Sequence, residues 1–494
     1  MKNSLRILAL LCALLMLLTC FVGCRKDPGD NKGNGGGGSG SRATSSLPAA
    51  DWNGEECLVL GHSGTKTKQF ENLEIWREEM TDDVVGKAVW ERNTLLKETY
   101  NFEVKQNLVE VVKNEMADLY KSGEDLYDIC LYRPLDAAQH AEQEFLLDLA
   151  SVEYIDLDHA SWDQNARADL AITGKLYFTI SDFLLQDKDR TEILFYNREM
   201  ARVNGWGYLE DQVTNNGWTV EYFAGLVKAS SKDGNSNLTL GEFKEDGSGD
   251  YFGLGLPAFQ SLATFVFGAG VKISELDDTG NVVIVNDKEA TGNVIDAVGT
   301  FLFDKKQTLF VTDIPNTEYQ EHIELFGWEK ELFCSDVLSS LDRIHTGASI
   351  SQLVDFEYSF LPYPKASASQ DRYYSTPSGT TGAVVAIPYT VSDPAQSGFF
   401  LQALSEASTD TTLVAYYEVK CKIQNSQDQR ASDMLDVVFD SVRYDIGAMY
   451  DFGGLYTMYY QFAQFKRNRF ENQFDSRYAT ALIEAEEIMQ NFND

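Results

Sequence analysis

Short apolar runs alternate with stretches of helical period along most of the chain. Glu56-Cys57-Leu58-Val59-Leu60-Gly61 reads as a buried strand, and His62-Ser63-Gly64 as the loop that leaves it. In residues 86–100, Val89, Trp90, Asn93, Leu96 and Lys97 fall at helical offsets, and Phe102-Glu103-Val104-Lys105 follows as a strand. The helix-then-strand order returns in 111–121 and 127–131. Such alternation predicts an α/β chain built on a largely parallel sheet with helices on both faces. Ligands meet sheets of this kind at the carboxyl ends of the strands, so the loops after Leu60 and Leu131 are candidate cleft walls. His62 lies in the first of them.

Residues 174–226 carry the densest signals. The apolar and β-branched runs 176–180 and 192–196 read as strands separated by a polar, acidic loop. Asn197 is an N-cap residue for a short helix closed by Asn204-Gly205. Thr219 caps another helix, with Glu221 in its first turn and Val220, Phe223, Leu226 and Val227 on one face. Further on, 260–268 reads as an apolar helix ended by Gly268-Ala269-Gly270, 277–280 and 282–286 as a hairpin-like pair, and 288–303 and 475–489 as helices.

The N-terminus follows another pattern. Lys2 and Arg6 precede the apolar run 7–18, too short for a comfortable membrane span, so 1–23 reads as a secretory signal peptide. Val22-Gly23-Cys24 is similar to a lipobox, with Phe21 in place of the usual Leu, and predicts lipidation of Cys24; plain secretion with a free Cys24 is the alternative. Residues 24–47, rich in Gly, Asn and Ser, have too little apolar surface to offset their ordering entropy and read as a flexible tether. Together they predict a lipid-anchored protein on the extracellular face of the cell membrane.

About 450 residues remain for folding, more than one core usually serves, which implies two lobes. Hydrophobic residues at 44% and aromatics at 12% fit a globular chain with a large core. The formal charge of −35, two units more negative once Lys2 and Arg6 leave, argues against a nucleic-acid partner. Cys57, Cys130, Cys334 and Cys421 are widely spaced with no CxxC element, which suggests neither a zinc site nor a compact disulfide scaffold and points to buried thiols, with one incidental disulfide as the alternative. HExxH and GxSxG are absent, and His62, His140, His159, His322 and His345 are scattered, so no enzyme is indicated. In residues 232–242, Asp233, Asn235 and Asn237 have the one-three-five spacing of a calcium loop, with Thr239 able to offer its carbonyl. Leu238 and Lys244 break that pattern, and a plain polar turn competes with it.

Several segments carry a resemblance. Trp162-Asp163-Gln164 precedes Gly174-Lys175-Leu176-Tyr177, an acid loop with Asp182 leads to the strand 192–196 and Tyr196-Asn197, and Gly217-Trp218-Thr219 opens the next helix. Tyr358-Ser359-Phe360-Leu361-Pro362-Tyr363-Pro364 and Gly382-Ala383-Val384-Val385-Ala386-Ile387-Pro388-Tyr389 follow later. This order resembles the extracellular sugar-binding proteins of ABC importers, of the maltose-binding-like class and the Gram-positive lipoprotein type. The resemblance implies a two-lobed, periplasmic-binding-protein-like type II fold with a hinge and an inter-lobe cleft. Its lobes would take 48–182, 183–360 and 361–408 in alternation, with 409–494 mainly completing the second. It also implies Tyr132, Arg133, Asp182 and Asp336 near the ligand, with His62 as a further candidate. The implied function is capture of a sugar or oligosaccharide by a monomer that delivers it to the permease's transmembrane subunits, with no cofactor unless calcium occupies the 233–239 loop. A glycan-degrading enzyme and a ligand sensor without transport are the rival readings.

Overall fold

The computed structural model describes residues 45–64, 71–244, 248–257, 261–313, 322–341, 344, 354, 356–377, 382–425 and 428–493. The predicted signal peptide, Cys24 and the tether up to residue 44 lie outside the described residues.

The first sheet grows from the alternation seen in the sequence. β1 (Glu55–His62) pairs in parallel with β2 (Phe102–Val109) on one side and β3 (Ile129–Tyr132) on the other. The connecting helices Val84–Tyr100 and Val112–Ser122 start and stop where local chemistry dictates. Asp83 caps the first through the Gly86 N–H, and Asn101 ends it in the left-handed region. Gly123 ends the second in the same conformation.

The second sheet takes up the middle of the chain. β4 (Glu192–Asn197) runs into the helix Arg198–Val203, where Asn197 accepts the Met200 N–H at 2.7 Å as its residue type predicts. Helix Val220–Ser230 is capped by Thr219, and Val220, Phe223, Leu226 and Val227 are buried. β5 (Phe252–Leu256), the hairpin β6 (Ser274–Leu276) and β7 (Val282–Ile284), β8 (Thr308–Phe310), β9 (Glu331–Val337) and β10 (Tyr358–Leu361) follow. The sheet order is β10-β4-β9-β5-β8. Its core is an aromatic cluster in which Phe223 lies 4.6 Å from Phe333, 5.2 Å from Phe301 and 5.3 Å from Phe265 between ring centroids. Trp218 is fully buried beside it and donates through Nε1 to the Pro362 carbonyl at 2.8 Å.

The chain then returns: β11 (Val384–Ala386) joins the first sheet beside β3, giving the order β11-β3-β1-β2. Helix Pro394–Thr409 packs on that sheet, with Phe400 stacked 4.4 Å from Phe102. Cys57, Cys130, Cys334 and Cys421 are all buried thiols outside any disulfide.

The first sheet is largely parallel as the alternation predicts, β1 pairing in parallel with both β2 and β3, and only β11 joins it antiparallel. The second sheet is mixed, with β5 parallel to β8 and β9, and β4 antiparallel to β9 and β10. One expectation needs correction. Residues 176–180 are not a ladder strand. Leu176, Phe178 and Ile180 are buried, but the segment makes one bridge, Thr179 with Val385, as it passes from one sheet to the other.

Candidate functional site

Two chain passages between the sheets frame a cavity of about 220 Å³. The described part of the 362–383 connection between β10 and β11 supplies Tyr374, Ser375 and Thr376. The short helix Gln164–Leu170 supplies Ala168 and Asp169, Lys272 comes from the segment leading into β6, and Ser274 and Glu275 come from β6 itself. Arg443, Tyr444 and Asp445 close it, and Phe267 and Tyr444 extend the wall into a smaller neighbouring void that reaches Tyr456.

Backbone pairing sets this arrangement. Ser375 donates its N–H to the Ser441 carbonyl at 3.0 Å and accepts the Arg443 N–H at 3.0 Å, which brings Tyr374 and Thr376 alongside Arg443 and Tyr444. Asp445 caps the helix Ile446–Met449 and reaches β6, accepting from the N–H groups of Ile273 at 2.6 Å, Ser274 at 3.2 Å and Gly447 at 2.9 Å. Gly447 is required there, because a Cβ would meet Ile273 Cγ2 at 2.5 Å and Ser274 Oγ at 2.8 Å. Burial pushes the Asp445 carboxyl up to about 6, against the opposing effect of these hydrogen bonds.

Both cations on the wall stand beside a carboxylate. Arg443 holds Asp169 through two parallel bonds, Nε to Oδ2 at 2.7 Å and Nη2 to Oδ1, and the Tyr444 N–H adds a third to Asp169 Oδ2 at 3.1 Å. That hydrogen bonding raises the Arg443 pKa. Lys272 lies 3.7 Å from Glu275. Behind Tyr444, whose hydroxyl is 3.4 Å from Asp163 Oδ2, lies a network of Asp163, Asp182, Asp187 and Lys188 on the other passage. Lys188 Nζ donates to Asp187 Oδ2 at 2.8 Å, while the second oxygen of Asp187 is buried without a partner. Burial opposes the Lys188 charge, yet Asp187 and Asp182 outweigh it and the pKa is raised.

None of the residues expected near the ligand lines this cavity. Tyr132 is fully buried with its hydroxyl 3.0 Å from His140 Nδ1, which makes it a core residue of the first sheet rather than a contact surface. His62, 3% exposed, and Arg133 are brought together at the strand ends of that sheet. Burial, then the Arg133 charge, lowers the His62 pKa to about 4, so it stays neutral near pH 7. Arg133 is the N-cap of helix Pro134–Glu142. Asp182 is half-buried and accepts from Thr409 Oγ1 at 2.6 Å; burial lifts it to about 6, and it belongs to the network behind Tyr444. Asp336 is buried on β9 opposite Ile193, and its charge adds to the burial that raises Glu192 to about 8.

In the 233–239 loop, Asp233 accepts the N–H groups of Asn235, Ser236 and Leu238, and the side-chain amides of Asn235 and Asn237 donate to Glu242 at 3.0 and 2.7 Å. The Asn237 side-chain oxygen accepts the Thr239 N–H at 2.8 Å. Among the described residues no group of three or more His, Cys, Asp or Glu is placed to hold a metal ion, and no helix is long and apolar enough to cross a membrane.

No family profile matches the sequence, and no curated protein matches it either. Solved structures do match. Lmo0181, an ABC substrate-binding protein from Listeria monocytogenes in complex with cycloalternan, gives a TM-score of 0.53 at 12% identity, covering 87% of this chain and 99% of that one. The apo form of RafE from Streptococcus pneumoniae gives 0.55 at 12% identity, over 87% and 97%. The galacto-N-biose-/lacto-N-biose I-binding protein of an ABC transporter from Bifidobacterium longum, in complex with lacto-N-biose, gives 0.54 at 11% identity, over 89% and 99%. Two mixed sheets exchanging strands through paired passages, together with these whole-length matches, define the chain's fold as the two-lobed type II fold of the solute-binding proteins. The expected fold class is therefore borne out.

Proposed function

We propose that this protein is the extracellular substrate-binding component of an ABC importer, and that it takes a sugar or oligosaccharide into the cavity between the two passages. The observation that carries the reading is the joint presence of the type II fold and a cavity walled by Tyr374, Tyr444 and Phe267 beside Asp169 and Asp445. Aromatic faces stack on the apolar sides of pyranose rings, and carboxylates accept hydrogen bonds from neighbouring hydroxyls. The chain does not catalyse turnover in this reading. A ligand touching both lobes favours the closed form, because it has greater affinity for that form than for the open one.

The decisive experiment adds oligosaccharides of differing composition to the purified protein. Stoichiometric binding with a raised melting temperature and unchanged sugar supports the reading, whereas released shorter sugars point to a glycan-degrading enzyme. Co-purification with a permease separates a carrier from a sensor. Anchoring through Cys24 supports the extracellular placement, and Cys24→Ala is expected to move the protein from the membrane fraction to the medium. Persistence in the membrane fraction would refute the anchor.

A further inference from the structure

We propose that Asp169 is a specificity-determining residue that restricts the cavity to sugars bearing no negative charge. The inference rests on the carbohydrate reading above and adds the charge class of the ligand.

A site for a uronic, sulfated or phosphorylated sugar needs a cation with its hydrogen-bonding edge turned to the ligand, and arginine is the side chain best shaped for that task. Arg443 is on the wall, but its Nε and Nη2 edge is already taken by Asp169. The Asp169 side chain is 13% exposed and is further held by the Tyr444 N–H, so it does not swing aside without leaving a buried charge uncompensated. Lys272 stands beside Glu275 at 3.7 Å, and Asp445 has no cation partner on the wall but four hydrogen bonds from Ile273, Ser274 and Gly447. The lining carboxylates Asp169, Glu275 and Asp445 thus outnumber the cations Lys272 and Arg443. Behind the wall, Asp163, Asp182 and Asp187 surround the single ammonium of Lys188. An anionic ligand entering here meets a negative field and a guanidinium already paired. A neutral polyol meets lone pairs on the carboxylates and aromatic faces on Tyr374 and Tyr444, and each hydroxyl can donate and accept.

Matched sugars differing in charge test this. Calorimetry on the mature protein would compare neutral galacto-, xylo- and malto-oligosaccharides with digalacturonate, aldouronic acids and a maltose phosphate. Wild type is expected to bind one or more neutral members and to bind the anionic counterpart at least tenfold more weakly. Asp169→Asn leaves the Arg443 charge unmatched and is expected to narrow that gap at least tenfold, whereas Asp169→Glu keeps it. Melting curves and circular dichroism show that the variants are folded. Equal or tighter wild-type binding of the anionic partner overturns the inference while leaving carbohydrate binding intact, and so does an unchanged gap in folded Asp169→Asn. Should that variant not fold, the wild-type comparison alone decides. No binding across either panel refutes the carbohydrate reading and the inference with it.

Discussion

Replacing Glu331 with methionine is expected to stabilise the protein, and by more as the pH rises. Glu331 opens β9 with no exposed surface, and both of its carboxyl oxygens are buried without a hydrogen-bond partner. The side chain lies over Gly255, where a Cβ would collide with its carboxyl group. Burial holds its pKa well above the ordinary value of 4.5, so it folds protonated. The unfolded chain ionises near the ordinary value, so above it the folded state binds a proton that the unfolded state lacks. Stability therefore falls as pH rises, by about 1.4 kcal/mol per unit until the folded carboxyl itself titrates. The unpartnered polar group adds about 1–3 kcal/mol at every pH. Methionine has a similar length, carries neither cost and adapts to irregular space. Urea unfolding of both proteins from about pH 5 to about pH 8 reads the difference directly. A stability difference that does not change with pH, or a variant less stable throughout, would refute the reasoning.

Three further changes probe the passages and the core. Lys188→Met removes the ammonium that Asp187 and Asp182 face, and is expected to cost about 3–5 kcal/mol in urea unfolding; a loss below about 1 kcal/mol would mean the carboxylates do not depend on it. Gly253→Ala drives a Cβ into the Val227 backbone where helix Val220–Ser230 lies on β5, and a loss of about 2 kcal/mol or more should follow; an unshifted midpoint would show slack in that contact. Tyr444→Ala should weaken sugar binding roughly tenfold by removing an aromatic wall, whereas Tyr444→Phe, which gives up a 3.4 Å contact to Asp163, should stay within about threefold in calorimetry; equal affinity in all three proteins would place the sugar elsewhere.

The sequence was most legible where one segment carries its own explanation. Asn197 and Thr219 cap helices through N–H groups a few residues away, and a hairpin does form near 277–286, although its first strand is Ser274–Leu276 and 277–280 is the turn rather than an arm. The run 176–180 misled because a passage between lobes is buried on all sides, as a strand is, and burial sets its composition whether or not a ladder forms. Tyr132 misled for a related reason. The strand end was correctly located, but side-chain direction at that end depends on the packing of His140 from the following helix, which periodicity does not report.

The cavity was legible only in fragments. Arg443-Tyr444-Asp445 is a polar and aromatic group between the helices Gln429–Asp440 and Ile446–Met449, and it comes to line the cavity through partners far along the chain. Asp169 turns Arg443 from an anion receptor into half of a closed pair, and the pairing of Ser375 with Ser441 and Arg443 decides that Tyr374 faces the same space. Sliding the 375–377 segment by one residue would turn each side chain to the opposite side of an extended chain and remove Tyr374 from the wall. The bridge between Thr191 and Pro377 opposes that slide, since it ties the same segment to the entry of β4. The cavity wall is thus fixed by the register of two passages against each other, and a change to that register alters the cavity even when every lining residue is kept.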